Sequence, residues 1–210
     1  MKIEMISDVI CPWCFLGKRR LDKALTLVPE IQVEVIYRPF FLDPSIPPEG
    51  LNRADYMKAK FGDRDLSAMH KPLAEAGKKD GVPYQFEKIT RTPNTMDAHR
   101  LIRWAKEAKP NVQGAMKEAL LCAYWRDGKD IGDHKVLAEI ATSVGMDGGE
   151  VAVLLTQDTD KAAVMKEVEH AYKLGVSGVP TFVFDRHSGI SGAQEAESLA
   201  QIIRDVAAKH

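Results

Sequence analysis

The feature that most constrains this chain is a pair of cysteines, Cys11 and Cys14, set between an apolar run and a predicted helix. Residues 2–6 (KIEMI) before the pair alternate as a strand does. Pro12 suits the first turn of a helix, where no backbone N–H is needed. The chain holds only three cysteines, too few for a disulfide framework. The pair is therefore a redox-active dithiol, half of a metal site, or two cysteines that only pack.

The position of the pair favours redox chemistry. The thiolate is the reactive form of cysteine, and the free N–H groups and positive dipole end of a helix N-terminus stabilise a thiolate at Cys11. Cys14, one turn later, lies close enough to bond to Cys11 or to resolve a mixed disulfide. A C-x-x-C pair in a strand–loop–helix context is typical of a thioredoxin-like redox motif.

The metal and packing alternatives have less support. A structural zinc site needs four ligands, usually with a second Cys or His pair. The other candidate ligands are scattered without such spacing: His70, His99, His134, His170, His187 and Cys122. Cys122 stands in an apolar helical stretch, EALLCAYW, and is interpreted as a packed thiol. No metal ligand is predicted.

The pattern of elements predicts an α/β domain interrupted by a helical one. A strand at 2–6, a helix at 12–27 and a strand within 31–40 give a β-α-β start. The chain returns to this character with a helix at 159–174, two strands and a terminal amphipathic helix. Between them, helices are predicted near 52–61, 64–79, 95–108, 112–127, 133–145 and 147–156. Residues 1–41 and 159–210 then form one domain, and residues 42–158 an inserted helical domain.

A second motif, GVSGVPTFVF, places Pro180 directly before a predicted strand. A cis X–Pro bond costs only about 0.5–1 kcal/mol and occurs where the chain makes a tight, fixed turn. In thioredoxin-type folds such a proline faces the dithiol, and the backbone beside it pairs with substrate. Val179 and Thr181 flank Pro180 here.

Five ordered motifs together resemble the DsbA-family oxidoreductases of the FrnE-like branch. They are CPWC at 11–14, RPFFLDP at 38–44, TPNTMDAHRL at 92–101, DIGD at 130–133, and GVSGVPTFVF with SGAQ within 175–194. The resemblance implies a thioredoxin fold, class α/β, with an inserted all-helical domain. It also implies that Cys11 is the nucleophile, Cys14 the resolving cysteine and Pro180 a cis proline, with Ser191–Gln194 in a loop near the site.

Several neighbours are candidate substrate-binding residues. Trp13 stands where periplasmic members carry histidine; it offers an apolar contact to substrate or covers the helix start. Asn94 and His99 line a pocket facing the dithiol, as the resemblance hints, or act as a helix cap and a satisfied surface histidine. Asp8 either moves a proton to Cys14 or caps the helix entry.

Charge and hydropathy exclude some partners. The 29 basic and 30 acidic residues nearly cancel, so no global field favours nucleic acid or an anionic membrane. The N-terminus lacks the basic start and long apolar core of a signal peptide, and no apolar stretch approaches the roughly 20 residues that span a bilayer. We expect a soluble, cytoplasmic protein. The resemblance is compatible with a homodimer, which no stretch of the sequence specifies.

The expected function is a thiol–disulfide oxidoreductase acting on a protein or small-molecule disulfide or thiol. No tightly bound cofactor is predicted, and glutathione is a candidate co-substrate. One alternative is a glutathione-dependent isomerase or transferase of the same architecture, in which serine typically replaces Cys11. A second alternative is a partner-binding protein with an inert or zinc-bound pair, which metal analysis and thiol reactivity would distinguish.

Overall fold

The computed structural model describes residues 1–108 and 112–209. The strands in these segments are β1 (Lys2–Ser7), β2 (Glu34–Pro39), β3 (Leu51–Asn52), β4 (Arg91–Thr92), β5 (Thr181–Phe184) and β6 (Ser188–Ser191). The helices there are α1 (Pro12–Thr26), α2 (Arg53–Phe61), α3 (Ser67–Lys79), α4 (Met96–Ala108), α5 (Val112–Trp125), α6 (His134–Ser143), α7 (Gly148–Leu155), α8 (Lys161–Lys173) and α9 (Ala196–Ala207). A 3₁₀ turn lies at Phe86–Lys88.

The main sheet joins strands from the two ends of the chain. Its order is β2-β1-β5-β6, with β1 parallel to β2 and antiparallel to β5, and with β5 antiparallel to β6. The parallel pair requires a crossover connection, which α1 supplies. Ile3 and Met5, which share one face of the central strand β1, have no exposed surface, and Ile6 on the opposite face is also buried. This arrangement confirms the predicted α/β class and places the end of β1 beside the start of β5.

Among the described residues between β2 and α8, the regular structure is mainly helical, with one short ribbon. Strands β3 and β4 pair antiparallel, Leu51 with Thr92 and Asn52 with Arg91. Two residues per strand are too few for alternation to be visible in the sequence, so this ribbon was not predicted. Helices α4 and α5 pack against each other, and α5 packs against β2. The division into two domains stays a prediction.

Buried aromatic residues from the helical segment pack beneath the loop that leads to the cysteines. Trp125, at the end of α5, is almost fully buried and donates its Nε1–H to the carbonyl of Val9 at 2.9 Å. Tyr84 packs edge-on against Phe15 of α1 and against Trp125. The loop between β1 and α1 is therefore held by residues from the intervening helical segment. None of the helices in segments 1–108 and 112–209 is long and apolar enough to span a bilayer.

Candidate active site

The two cysteines lie at the N-terminus of α1. Cys11 is the N-cap, with extended backbone angles (φ −89°, ψ 115°), and Pro12 occupies the first turn. The backbone N–H of Cys14 donates to the carbonyl of Cys11 at 3.0 Å, which sets the first turn between them. Both are free thiols. Cys11 is 3% exposed and Cys14 has no exposed surface, so Cys14 is the inner member of the pair.

The turn before β5 faces Cys11. Cys11 Sγ donates to the carbonyl oxygen of Val179 at 3.6 Å, and the Val179–Pro180 peptide bond is cis. The N–H of Gly192 donates to the carbonyl of Pro180 at 2.8 Å. The turn that contacts Cys11 is therefore itself hydrogen-bonded to the loop after β6.

Thr181 stabilises this turn through contacts of its side-chain hydroxyl. Its Oγ1 donates to the carbonyl of Gly178 at 2.8 Å and lies 2.8 Å from Ser191 Oγ on β6. Thr181 is buried, whereas Val179 is half-buried. Val179 is therefore the more exposed of the two residues that flank Pro180. Contact of either residue with substrate stays a prediction.

The close approach of α1 to the proline turn depends on a glycine that sequence reasoning missed. A Cβ on Gly17 would lie 2.9 Å from Cγ of Pro180 and 3.3 Å from the ring of Phe182. Contacts under 3.0 Å are sterically excluded, so the helix lies this close only because residue 17 has no side chain. The packing of Gly17 against Pro180 therefore fixes the position of α1, which carries the dithiol, relative to the proline turn.

The burial of Cys14 controls its ionisation. Burial raises the pKa of the Cys14 thiol well above its usual range, and the hydrogen bond from Cys14 to Cys11 raises it further. The charge of Lys117 and the backbone N–H of Asp8 act in the opposite direction without reversing the shift. Cys14 is therefore a neutral thiol at pH 7.

Asp8 and His99 form a buried pair behind the cysteines. Asp8 has no exposed surface, and its carboxylate accepts the N–H groups of Val9 (2.7 Å) and Leu42 (2.8 Å). His99 Nε2 lies 3.2 Å from Asp8 Oδ1 and 3.1 Å from the carbonyl of Phe40. Because both partners are acceptors, Nε2 carries the hydrogen. Burial is the largest single effect and raises the pKa of Asp8. The hydrogen bond and the electrostatic interaction with His99, the N–H of Leu42 and the charge of Lys117 together outweigh it, so the net shift of the Asp8 pKa is downward.

This geometry corrects two sequence-based interpretations. His99 is 3% exposed and so is not a surface histidine. The N-cap of α1 is Cys11, and its side chain makes no capping hydrogen bond, so Asp8 does not cap the helix. Asp8 instead ties the loop after β1 to Leu42 and α4. A direct contact between His99 and substrate stays a prediction.

Asn94 serves the backbone around the start of α4. Its Nδ2 donates to the carbonyl of Ile46 at 2.7 Å, and its Oδ1 accepts the N–H of Met96 at 3.0 Å. Asn94 therefore satisfies the first backbone N–H of α4, although Thr95 stands between Asn94 and the helix; a helix-capping role for Asn94 stays a prediction. The residue also lines a cavity of 340 Å³ together with Phe41 and Met165, so substrate contact by Asn94 stays a prediction.

Trp13 is the exposed aromatic side chain next to the dithiol, with 42% of its surface accessible. A separate cavity, of 110 Å³, opens beside Pro12 and is lined mainly by apolar side chains, among them Ile10, Leu42, Phe86 and Trp125. Apolar surface therefore lies next to Pro12 in two places, at the exposed side chain of Trp13 and in this cavity.

Two further residues at the site were not predicted. Tyr84 donates its hydroxyl to the carbonyl of Pro12 at 2.6 Å, and burial raises the pKa of this phenol. Lys117 of α5 has no exposed surface, and its Nζ has no hydrogen-bond partner among the described residues. A lysine on a helix normally indicates a solvated face, so its position in the sequence gave no signal. Within the same residues, no cluster of three or more His, Cys, Asp or Glu side chains is arranged to hold a metal ion.

A dithiol at the start of the first helix, opposite a cis-proline turn before an antiparallel strand, defines a thioredoxin-fold protein. The chain belongs to the DSBA-like thioredoxin domain family, which matches residues 2–204. This confirms the resemblance drawn from the five sequence motifs.

Three known proteins show the range of similarity. A probable DsbA oxidoreductase from Streptomyces coelicolor is 32% identical with a TM-score of 0.91, covering 100% of this chain and 91% of that one. The uncharacterized protein YwbO of Bacillus subtilis is 29% identical over 204 residues, 97% of this chain and 96% of that one. The cytosolic disulfide reductase DsbM from Pseudomonas aeruginosa, whose structure was solved with GSH, is 16% identical with a TM-score of 0.70 and full coverage of both chains. The last likeness shows the fold alone.

Proposed function

We propose that this protein is a thiol–disulfide oxidoreductase in which Cys11 and Cys14 cycle between dithiol and disulfide. The observation that carries the proposal is the unequal placement of the pair: Cys11 lies at the helix N-terminus against Val179, and Cys14 is fully buried behind it. A helix N-terminus stabilises a thiolate, whereas burial holds the second sulfur as a thiol. Membership of the DSBA-like family supports the same class of activity.

The reaction proceeds through a mixed disulfide. The Cys11 thiolate attacks one sulfur of a substrate disulfide, a bond forms between Cys11 and that sulfur, and the other substrate sulfur leaves as a thiolate that takes a proton. Cys14 then attacks Cys11, the new disulfide closes within the protein, and the first substrate sulfur is released. The substrate gains two electrons and the protein loses two. The oxidised protein runs the same steps in reverse.

We assign substrate contact to Trp13 and to the backbone of Val179, with Thr181 holding the turn. The carbonyl of Val179 is directed at Cys11 Sγ, so a chain bonded to Cys11 passes along this turn. Trp13 supplies an exposed apolar face beside the same sulfur. Asn94 and His99 hold the loops behind the dithiol through the hydrogen bonds described above.

Glutathione is the proposed thiol that restores the dithiol. The fold of DsbM, solved with GSH, is shared by this chain. One glutathione bonds to Cys11 and frees Cys14 as a thiol, and a second attacks the bound glutathione sulfur, so that Cys11 returns to a thiol and glutathione disulfide leaves. No tightly bound cofactor is required, because the two electrons reside in the cysteine pair. A cytoplasmic location is part of the same proposal, since a reducing compartment supplies glutathione.

The test compares cysteine variants in the glutathione-coupled reduction of a disulfide-bonded peptide. We expect Cys11→Ala and Cys14→Ser to lose turnover, because each removes one of the two sulfurs that exchange. Cys122→Ala is the matched control, since Cys122 is also a free, buried thiol but lies on α5 and bonds to Glu118. Full turnover by Cys14→Ser would reject the dithiol cycle, because glutathione itself would then resolve the mixed disulfide at Cys11. A wild-type protein that does not reduce the peptide would favour the alternative, a glutathione-dependent isomerase or transferase.

A further inference from the structure

The small cavity beside Pro12 is lined both by the loop that leads to the dithiol and by the helices that follow β3. Ile10 and Pro12, the two neighbours of Cys11 in the chain, are part of its wall. Most of the remaining wall comes from α2 and α3, and Trp125 at the end of α5 completes it. No described residue of the turn at Pro180 lines this cavity. It is therefore a separate space that begins at the residues flanking the outer cysteine.

The size and lining of this cavity suit one apolar side chain. Five of its residues are apolar side chains from the helical segment: Met57, Phe61, Met69, Leu73 and Phe86. Its volume of 110 Å³ is somewhat below the roughly 150 Å³ of an engineered cavity that holds benzene. Methionine side chains are flexible and adapt to the shape of a bound group. A branched aliphatic side chain is therefore the size of group that the cavity accepts.

Arg53, the first residue of α2, places a positive charge on the wall of this cavity. It is half-buried, and in the described segments it forms no ion pair with a carboxylate. Its one side-chain hydrogen bond there is long, 3.4 Å from Nη1 to Thr92 Oγ1. The other arginines of those segments that lack an ion pair, Arg64 and Arg186, are exposed. A guanidinium carries several N–H donors in a fixed fork, so most of the donors of Arg53 have no acceptor within the described chain.

The other ionisable groups that line the cavity leave the charge of Arg53 uncompensated. Lys60 pairs with Asp43 at 2.9 Å, and Tyr56 donates its hydroxyl to the same carboxylate at 3.0 Å. His70 is neutral at pH 7, because burial and the charge of Arg53 lower its pKa. Among the described residues, no carboxylate lines the cavity. Its wall therefore combines apolar surface with one unpaired cation.

A larger cleft, of 570 Å³, adjoins the small cavity. The two spaces share four lining residues: Arg53, Met57, His70 and Phe86. The cleft also has exposed charged side chains of both signs: Lys58, Asp63 and Glu87. Room therefore continues past Arg53 for a group much longer than one side chain. An extended polypeptide occupies such a path, whereas a small organic acid fills the cavity alone.

We infer that this cavity and the adjoining cleft select a polypeptide substrate that carries an apolar residue and a carboxylate beside its reacting cysteine. The inference rests on the proposed dithiol function. When the substrate sulfur is bonded to Cys11, the apolar side chain enters the cavity beside Pro12, the carboxylate accepts hydrogen bonds from Arg53, and the chain continues along the cleft. A guanidinium binds a carboxylate through two parallel N–H···O bonds, which adds orientation to the charge attraction. Arg53 is thus a specificity-determining residue that takes no part in the exchange of sulfur bonds.

The test uses peptide disulfides that differ by one carboxylate. One peptide has the order cysteine–leucine–glutamate and the other cysteine–leucine–glutamine, and both are also made in reverse order, because the cavity accepts a side chain from either chain direction. Each kcat/KM in the glutathione-coupled assay is divided by the rate constant with glutathione alone, which removes differences in intrinsic reactivity. We expect the wild type to prefer the glutamate peptide about tenfold in one of the two orders, the effect of one hydrogen bond to a charged group.

Arg53→Met removes the charge and keeps an apolar side chain of similar reach. We expect its kcat/KM for the glutamate peptide to fall to the value for the glutamine peptide. Arg53→Lys should retain part of the preference, since it keeps the charge without the paired donors. Arg64→Met is the matched control: it removes an exposed arginine that has no ion pair and lines neither space, and it should keep the full preference.

A further peptide tests the apolar part of the cavity. Serine in place of leucine in the glutamate peptide should lower the wild-type kcat/KM about tenfold, since burial of a leucine side chain contributes at least this much. Equal values for the leucine and serine peptides would mean that no apolar residue enters the cavity, and would overturn the inference.

The remaining outcomes separate the inference from the function on which it rests. Equal wild-type values for the glutamate and glutamine peptides in both orders would overturn the inference and leave the dithiol function standing, and this comparison needs no variant to fold. A preference for glutamate that persists in Arg53→Met would overturn the role of Arg53. A wild type that reduces none of the peptides would overturn the proposed function itself.

Two small aromatic disulfides test the other occupant. Ellman's reagent carries a carboxylate on each ring, and dithiodipyridine is neutral at pH 7. If Arg53→Met slowed the reaction of Cys11 with Ellman's reagent alone and left the peptide preference intact, the occupant would be a small organic acid. That result would overturn the assignment of a polypeptide to this site.

Discussion

The sulfur of Cys11 lies 3.6 Å from the carbonyl oxygen of Val179, although 168 positions separate the two residues in the chain. The contact joins the first helix to the turn before β5, so the site exists only when both ends of the main sheet are assembled. Under the proposed function, the chain of a substrate bonded to Cys11 runs along this turn. The proposed function depends on this contact between Cys11 and Val179.

The fit of α1 against the proline turn predicts the effect of Gly17→Ala. Alanine in place of glycine in a helix stabilises by about 1 kcal/mol from propensity alone. The added Cβ would meet Pro180 Cγ at 2.9 Å, and overpacking of this kind costs about 1–3 kcal/mol. We expect a lower free energy of unfolding in urea and slower peptide-disulfide reduction. Gly178→Ala, where nothing lies within 4 Å, is the control. A Gly17→Ala protein as stable as the control would mean that Pro180 and its neighbours move enough to accommodate the added Cβ.

The buried Asp8 predicts a specific dependence of stability on pH. Its folded pKa is below the ordinary value of 3.8, so ionised Asp8 contributes stability above about pH 4, and this contribution is lost as the pH falls through the folded pKa. Asp8→Asn should lower the free energy of unfolding at pH 7 by about 1–3 kcal/mol, because it leaves buried donors without their acceptor. It should also lose part of the acid-induced decline of the wild type.

Urea unfolding between pH 2 and pH 7 measures both effects. Asp63→Asn, at an exposed position, is the control and should follow the wild-type curve. Parallel curves for Asp8→Asn and the wild type would show that Asp8 does not carry the acid dependence.

The different environments of the cysteines predict the order of alkylation. Cys14 has no exposed surface and its pKa is raised by burial, while burial and Glu118 raise the pKa of Cys122 to about 11. Iodoacetamide at pH 7 should therefore add one group, at Cys11, with the other two cysteines modified only after denaturation. Mass spectrometry of peptides locates the adduct. Modification of Cys14 before Cys11 would reverse the assignment of nucleophile and resolving cysteine.

Trp13 predicts a change in substrate affinity without a change in stability. It is 42% exposed, so Trp13→Ala should leave the free energy of unfolding nearly unchanged. Partial burial of a large apolar side chain against a ligand contributes about 1.5 kcal/mol, which corresponds to a rise of about tenfold in KM for a peptide disulfide. Val153→Ala, an exposed apolar position on α7, should have no effect on KM. Equal KM values for both variants and the wild type would remove Trp13 from the substrate site.

Local sequence signals were sufficient for much of the fold. The start of α1 followed from Cys11 and Pro12, and the two halves of the main sheet followed from alternation and the turn at Pro180. The ribbon of β3 and β4 was not predictable, because two residues per strand leave no periodic pattern.

The inner side of the site was not predictable from the same signals. Lys117 looks like a surface lysine in a helical pattern, and His99 like a surface histidine, because burial is decided by which helix faces pack against the sheet. The closeness of Gly17 to Pro180 is likewise a property of two elements far apart in sequence. Sequence patterns identified the chemistry of the cysteines but not the burial that raises the pKa of Cys14.

The most direct test of the central claim is the redox equilibrium of the Cys11–Cys14 pair in glutathione buffers, followed by acid quenching, thiol trapping and mass spectrometry. We predict a single reversible two-electron transition in which both cysteines lose their free thiols together, with the same midpoint in Cys122→Ala. Thiol–disulfide exchange between a neighbouring pair gives this behaviour. A pair that stays reduced at every ratio, or that accumulates only glutathione adducts at Cys11, would contradict the account.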